Sequence, residues 1–141
     1  MASDQLDAEF LFSLTAEIGE TSYPIRKGPV GTRVVAEVTG GQFEGPKIRG
    51  TVVPPGGDWV YAQPDRTLRL DVRLQLVTDD GENILMTYQG IGTPTDDGLS
   101  VRTAPLFETG SETYDWLNRV QAVGIGESSG GSVTYRVYAL A

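Results

Sequence analysis

The 141-residue chain predicts an all-β protein, a single antiparallel barrel of about eight to ten short strands with one helical turn near residues 111–118. Three observations carry that expectation. Apolar and polar residues alternate with period two in segment after segment, the pattern of strands with one face in a core. Asp-Gly and Gly-Gly pairs separate the segments and supply the positive φ that tight hairpins need. The 18 glycines and 8 prolines, beside an ordinary 39% of hydrophobic residues, favour many turns over long helices.

In chain order, Phe10, Phe12, Leu14 and Ala16 alternate with Leu11, Ser13, Thr15 and Glu17. Val34, Ala36 and Val38 then alternate with Val35, Glu37 and Thr39. Further strands are expected over 48–53, 60–62, 67–77, 83–91, 100–107, 119–126 and 132–140. The hairpin turns fall at TDDG (78–81), TPTDDG (93–98) and ESSGG (127–131), and PPGG (54–57) reads as a further turn. SETYDWLN is the helical candidate, with Ser111 able to cap one turn and Glu112 favouring its positive end. A sandwich would satisfy the same pattern. The long 67–77 strand and the glycine pairs at 40/41, 56/57 and 130/131 favour a barrel, because a tilted, closing sheet needs sharp corners. No repeat or internal boundary is visible, so residues 1–141 read as one domain.

Composition excludes more than it selects. A net charge of -8 with only two lysines leaves no cationic footprint for nucleic acid. No apolar run approaches membrane-spanning length, and MASDQLDAEF carries acids where a secretory signal carries basic residues, so the expectation is a cytoplasmic protein without a membrane partner. With no Cys and no His there is no thiol nucleophile, no Ser-His pair and no zinc site of the usual ligand types. No glycine-rich phosphate loop is present. Any chemistry must therefore come from Asp, Glu, Tyr, Arg, Lys or hydroxyl groups, from an oxygen-liganded metal, or from a bound cofactor that leaves no motif; of these the first is expected, with neither cofactor nor metal.

Three clusters could supply it. Along 68–75, Leu68, Leu70, Val72 and Leu74 oppose Arg69, Asp71, Arg73 and Gln75. The polar set is either a solvated face or a lumen in which Asp71 and Arg73 orient a substrate. Asp58 and Trp59 follow PPGG at the start of a strand, as turn cap and core plug or as acid and stacking wall. The run from Arg102 to Asn118 gathers Arg102, Glu108, Tyr114, Trp116 and Asn118, either around a ligand or as an end plug with Glu108 paired to Arg102.

The blocks GGQFEGPKIRGTVVPPGGDW, LDVRLQLVTDDGENI and VRTAPLFETGSETYDWLN through VGIGE resemble, in order and spacing, a family of small bacterial and fungal proteins catalogued as domain of unknown function 3237. The resemblance spans nearly the whole chain. It implies a calycin-like or lipocalin-like barrel, and it gives weight to a lumen role for Asp71 and Arg73.

Three functions compete. The first is a cofactor-independent enzyme acting on an aromatic or polyketide-like metabolite by cyclisation, hydration, dehydration or isomerisation. Asp58 or Asp71 would move the proton, Arg73 or Arg102 would hold an oxyanion, and Trp59, Tyr88 and Trp116 would wall the substrate, with Glu108, Tyr114 and Asn118 nearby. The second is a carrier or sensor barrel, and the third a structural protein that self-associates. A homo-oligomer is expected in any case. The enzyme reading makes one sharp demand, that Asp58, Asp71, Arg73 and Arg102 share a single cavity.

Overall fold

The computed structural model describes residues 4–141. Nine strands are present: β1 Ala8–Gly28, β2 Gly31–Glu44, β3 Arg49–Ala62, β4 Leu68–Thr78, β5 Asn83–Thr95, β6 Gly98–Thr103, β7 Leu106–Thr109, β8 Ala122–Ser129 and β9 Ser132–Leu140. Eight of them form a closed antiparallel ring, β4-β3-β2-β1-β9-β8-β6-β5, sealed by pairing of β5 with β4. β7 continues the line of β6 after a break at Ala104-Pro105 and pairs with the lower half of β5. Proline has no N–H to give a ladder, so the strand expected over 100–107 is split there.

Alternation decides which side chains enter the ring. On β4, Leu70, Val72, Leu74 and Leu76 are buried while Arg69, Asp71, Arg73 and Gln75 are exposed. The same phase places Phe12, Leu14 and Ala16 of β1, Met86 and Tyr88 of β5, and Tyr135, Val137 and Ala139 of β9 inside.

The stretch expected to be a turn at PPGG is an irregularity within a strand instead, and the sharp corner expected at Gly40-Gly41 is a bend within one. PPGG lies inside β3, where four steps from Val53 to Gly57 oppose only two from Gln75 to Arg73. The expected 48–53 and 60–62 strands are therefore one. Gly40-Gly41 likewise lies inside β2, where the register with both neighbours shifts. Gly41 has φ +142, and a Cβ there would collide with the Thr15 carbonyl, so only glycine lets β1 and β2 approach at this bend.

The two ends of the barrel differ. The lower end is closed by Phe12, whose ring lies 5.4 Å from that of Phe43 and 6.0 Å from that of Phe107, with Leu74, Leu76, Met86 and Leu117 fully buried around them. Beneath it, the expected helical turn is a 3-10 turn, Asp115–Arg119. Ser111 does not cap it; its hydroxyl accepts the Tyr114 N–H of the preceding turn at 3.4 Å. The 3-10 turn also displaces the start of the strand expected over 119–126 to Ala122. At the upper end, the last inward positions of β1, β2, β4, β6 and β9 are Ile18, Val34, Leu68, Leu99 and Val133, all only partly buried. Among the described residues no helix is long and apolar enough to cross a membrane.

Candidate functional site

Asp58 is the acidic side chain that the fold turns toward the interior. It pairs with Ala36 on β2 and with Val72 on β4, both buried, and Val72 in turn pairs with Tyr88. Cross-strand partners share a face, so Ala36, Asp58, Val72 and Tyr88 form one inward row.

The sheet is open beside this row. Pairing of β3 with β4 runs through Asp58 and Val72 and resumes at Tyr61 and Arg69, omitting Trp59 and Val60. Two side chains serve backbone groups in the gap. The Asp71 N–H donates to Asp58 Oδ1 at 2.9 Å, and Arg33 Nη1 donates to the Trp59 carbonyl at 2.6 Å. Backbone groups in a sheet must find partners, and here a carboxylate from within and a guanidinium from without supply them.

Burial raises the Asp58 carboxyl from its ordinary 3.8 to about 6; the Asp71 N–H and the Arg33 charge oppose the rise, and the Asp71 carboxylate adds to it. Tyr88 and Tyr135, whose rings meet edge-to-face at 5.4 Å, lie within electrostatic reach of Asp58 and of each other. Burial pushes both phenols above their ordinary value, so they remain protonated donors. Gly126, opposite Tyr135, makes room for the ring: a Cβ there would stand 2.5 Å from ring atom Cδ1. A carboxyl raised toward neutrality and two buried phenols therefore face the upper half of the barrel interior, beneath a rim of partly buried aliphatic side chains. Such a site can exchange a proton with an uncharged, largely apolar molecule.

The other expected site residues are distributed differently. Asp71, Arg73 and Arg102 are exposed and out of phase with the buried residues beside them, so they stand on the outer wall and do not share a cavity with Asp58. The solvated-face reading of β4 is the one the structure bears out. Asp71 and Arg102 do line one groove, but on the exterior. Trp59 also points outward and is 43% exposed, neither core plug nor lumen wall.

Tyr88 alone of the expected substrate-binding residues faces the lumen near Asp58. Tyr114 lies at the lower end, where its hydroxyl donates to Asp80 at 2.9 and 3.0 Å. Asp80 belongs to the turn after Thr78, six residues down β4 from Val72, or about 20 Å at strand rise. Trp116 lies below Lys47, whose ammonium is 5.7 Å from the ring centre. Asn118 clamps Thr109, accepting its N–H at 2.8 Å and donating to its carbonyl at 2.9 Å. Glu108 is exposed, and no ion pair among the described residues joins it to Arg102. These four residues belong to the lower end, with no part in the Asp58 site.

Two residues of the Asp58 environment were not singled out from sequence. Tyr135 alternates with Val133 and Val137, and Arg33 stands opposite in phase to Val34, so simple parity would have placed the first inside and the second outside.

Comparisons with known proteins bear on the family and the fold. The family described as "Protein of unknown function (DUF3237)" matches residues 6–140. A "UPF0311 protein" of Rhodopseudomonas palustris is 31% identical over 135 residues, spanning 84% of this chain and 86% of that protein. The "Hydroalkoxylation enzyme phnH" of Penicillium herquei is 35% identical over 117 residues, spanning 82% of this chain and 71% of the enzyme. A crystal structure of a beta-barrel like protein from Acinetobacter baumannii superposes with a TM-score of 0.90 at 26% identity, covering 99% of both chains. With the match running almost from end to end, the chain belongs to the DUF3237 family.

Proposed function

We propose that the chain is a cofactor-independent enzyme that cyclises a small aromatic or polyketide-like metabolite by adding a hydroxyl group across a carbon–carbon double bond, with Asp58 as the proton carrier. The observation that carries this reading is the placement of Asp58, an inward carboxyl held at about 6 beside two protonated phenols. The relative named as a hydroalkoxylation enzyme supplies the reaction class.

The step balances without a co-reactant. Asp58 gives its proton to the less substituted alkene carbon while the substrate hydroxyl oxygen forms a bond to the other carbon. The hydroxyl proton then returns to the Asp58 carboxylate, so the product is an isomer of the substrate. A carboxyl titrating near the working pH is suited to both halves of this exchange. Tyr88 and Tyr135 orient the substrate oxygen, and the ring of Ile18, Val34, Leu68, Leu99 and Val133 admits its apolar part. Arg73 and Arg102, on the outer wall, take no part in the chemistry.

The test is incubation with ortho-prenylphenol in deuterium oxide, following the cyclic ether by chromatography and carbon-bound deuterium by mass spectrometry. Wild type should form the ether with one deuterium, and Asp58→Asn should reduce turnover by about a hundredfold or more while keeping the fold. Saturable binding without turnover, unchanged in Asp58→Asn, would make the barrel a carrier.

A further inference from the structure

A second feature lies on the opposite side of the wall from Asp58. Register pairs Arg33 with Tyr61, Tyr61 with Arg69, Arg69 with Ile91 and Ile91 with Arg102, one uninterrupted row across five strands. All are on the outer face, and together with Asp71 they line a groove of about 670 Å³.

The three arginines are short of partners. None enters an ion pair among the described residues, although the chain carries 19 acidic groups against 11 basic ones. Their hydrogen bonds go to neutral acceptors: Arg33 to the Trp59 carbonyl at 2.6 Å, Arg69 to Gln63 Oε1 at 3.3 Å, and Arg102 to Ser100 Oγ at 3.2 Å and the Val101 carbonyl at 3.0 Å. A guanidinium has five N–H donors, so most donors in the groove remain uncommitted. Arg33 is also stacked 4.7 Å from the centre of the Tyr61 ring, which fixes its plane. Ile91, 43% exposed, gives the groove an apolar floor between Arg69 and Arg102.

We propose that this outer groove binds a small organic anion, a carboxylate or phosphate held by Arg69, Arg102 and Arg33 whose flat apolar part rests on Ile91 and Tyr61. Converging guanidiniums grip such groups in bidentate fashion. The site is separate from the lumen and does not depend on the reaction assigned there. Asp71 is the one carboxylate among the lining residues. Its charge sets a threshold, because an anion must gain more from the guanidiniums than it loses by repulsion from Asp71.

The experiment is an amide NMR titration with 1-naphthoate and, separately, with 1-naphthyl phosphate, against sodium chloride at equal ionic strength. Saturable shifts at the Asp71, Gln89 and Ile91 amides are expected for at least one probe, and the stronger probe identifies the anionic group. The double variant Arg69→Gln/Arg102→Gln should weaken that binding by about tenfold or more, since both side chains make charge-assisted contacts to the anion. Both residues are exposed, so the variant's spectrum serves as its own control for folding. Arg33 is left intact because it holds the Trp59 carbonyl. Shifts that merely follow chloride, or saturable binding that the double variant leaves unchanged, would overturn the proposal.

Discussion

Asp58 and Asp80 lie near opposite ends of the same barrel, and their environments pull them in opposite directions. Asp80 is exposed and accepts hydrogen bonds from the Thr78 hydroxyl at 2.5 Å and the Tyr114 hydroxyl, which hold its carboxyl below the ordinary value. Asp58 faces the interior and accepts a single N–H, from Asp71; burial outweighs that bond and raises it to about 6. Tyrosines stand near both. At the lower end Tyr114 donates to the acid, whereas at the upper end no hydrogen bond among the described residues joins Tyr88 or Tyr135 to Asp58, and burial favours the protonated acid. The lower end is arranged to stay folded. The upper end holds a carboxyl whose burial costs stability once it is charged.

The largest effect that tests this contrast is expected at the plug. Phe12 is fully buried between Phe43 and Phe107, so Phe12→Ala should destabilise by about 3 to 5 kcal/mol in thermal or urea unfolding. A loss below about 1 kcal/mol, the scale of an ordinary surface substitution, would show that the lower end is not the stabilising half.

Asp58→Asn should act in the reverse direction. A carboxyl whose folded value lies above its unfolded one favours folding fully below about 3.8, and that contribution disappears as pH rises through about 6. Above pH 7 the protein carries a half-desolvated carboxylate, and the shift from 3.8 to about 6 corresponds to about 3 kcal/mol. The Asn variant should therefore be more stable than wild type at pH 8 and should lack the decline between pH 4 and 7. Asp80 has the other sign: its contribution is present above 3.8 and is lost as pH falls through its lowered folded value, so Tyr114→Phe, which brings the folded value closer to 3.8, should lower stability above 3.8 and make the acid limb of the stability curve shallower. Equal pH profiles for wild type and Asp58→Asn would remove the raised carboxyl from the account, and with it the main support for acid–base chemistry in the lumen.

How much of this was readable beforehand follows from local physics. The hairpins at TDDG, TPTDDG and ESSGG are where Asp-Gly and Gly-Gly require them, and β4 has the faces that its alternation implies. PPGG misled because proline and glycine punctuate turns and bulges alike, and only cross-strand register distinguishes the two. Once β3 is known to continue, Asp58 is in phase with Val52 and Val60, both buried, and its inward position follows. The meeting of Tyr88 with Tyr135 joins residues 47 apart in sequence through three successive strand pairings, β5 with β6, β6 with β8 and β8 with β9, which no local pattern encodes. The family resemblance gave Asp71 and Arg73 weight as a lumen pair, but a motif position states that a residue type belongs there, not which side of the wall it faces.

Trp59 supplies the smallest and most discriminating comparison, since it adjoins Asp58 in the chain yet faces the other way. Its ring is 43% exposed, opposite Val35, which is itself 40% exposed, and it is the backbone carbonyl of Trp59, not the indole, that Arg33 holds. Truncation leaves that carbonyl in place and removes only ring contacts at the surface, including those over Gly57, where a Cβ would stand 3.6 Å from the indole. Trp59→Ala is therefore expected to change stability by less than about 1 kcal/mol, against several for Phe12→Ala, and to leave turnover of ortho-prenylphenol unchanged. A melting curve lowered as far as that of Phe12→Ala would mean that the indole packs a surface the isolated barrel does not cover, such as a second copy of the chain. Lost turnover with an unchanged melting curve would instead extend the active site through the gap in the β3–β4 ladder to the outer wall, and the division between lumen chemistry and exterior binding would then have to be abandoned.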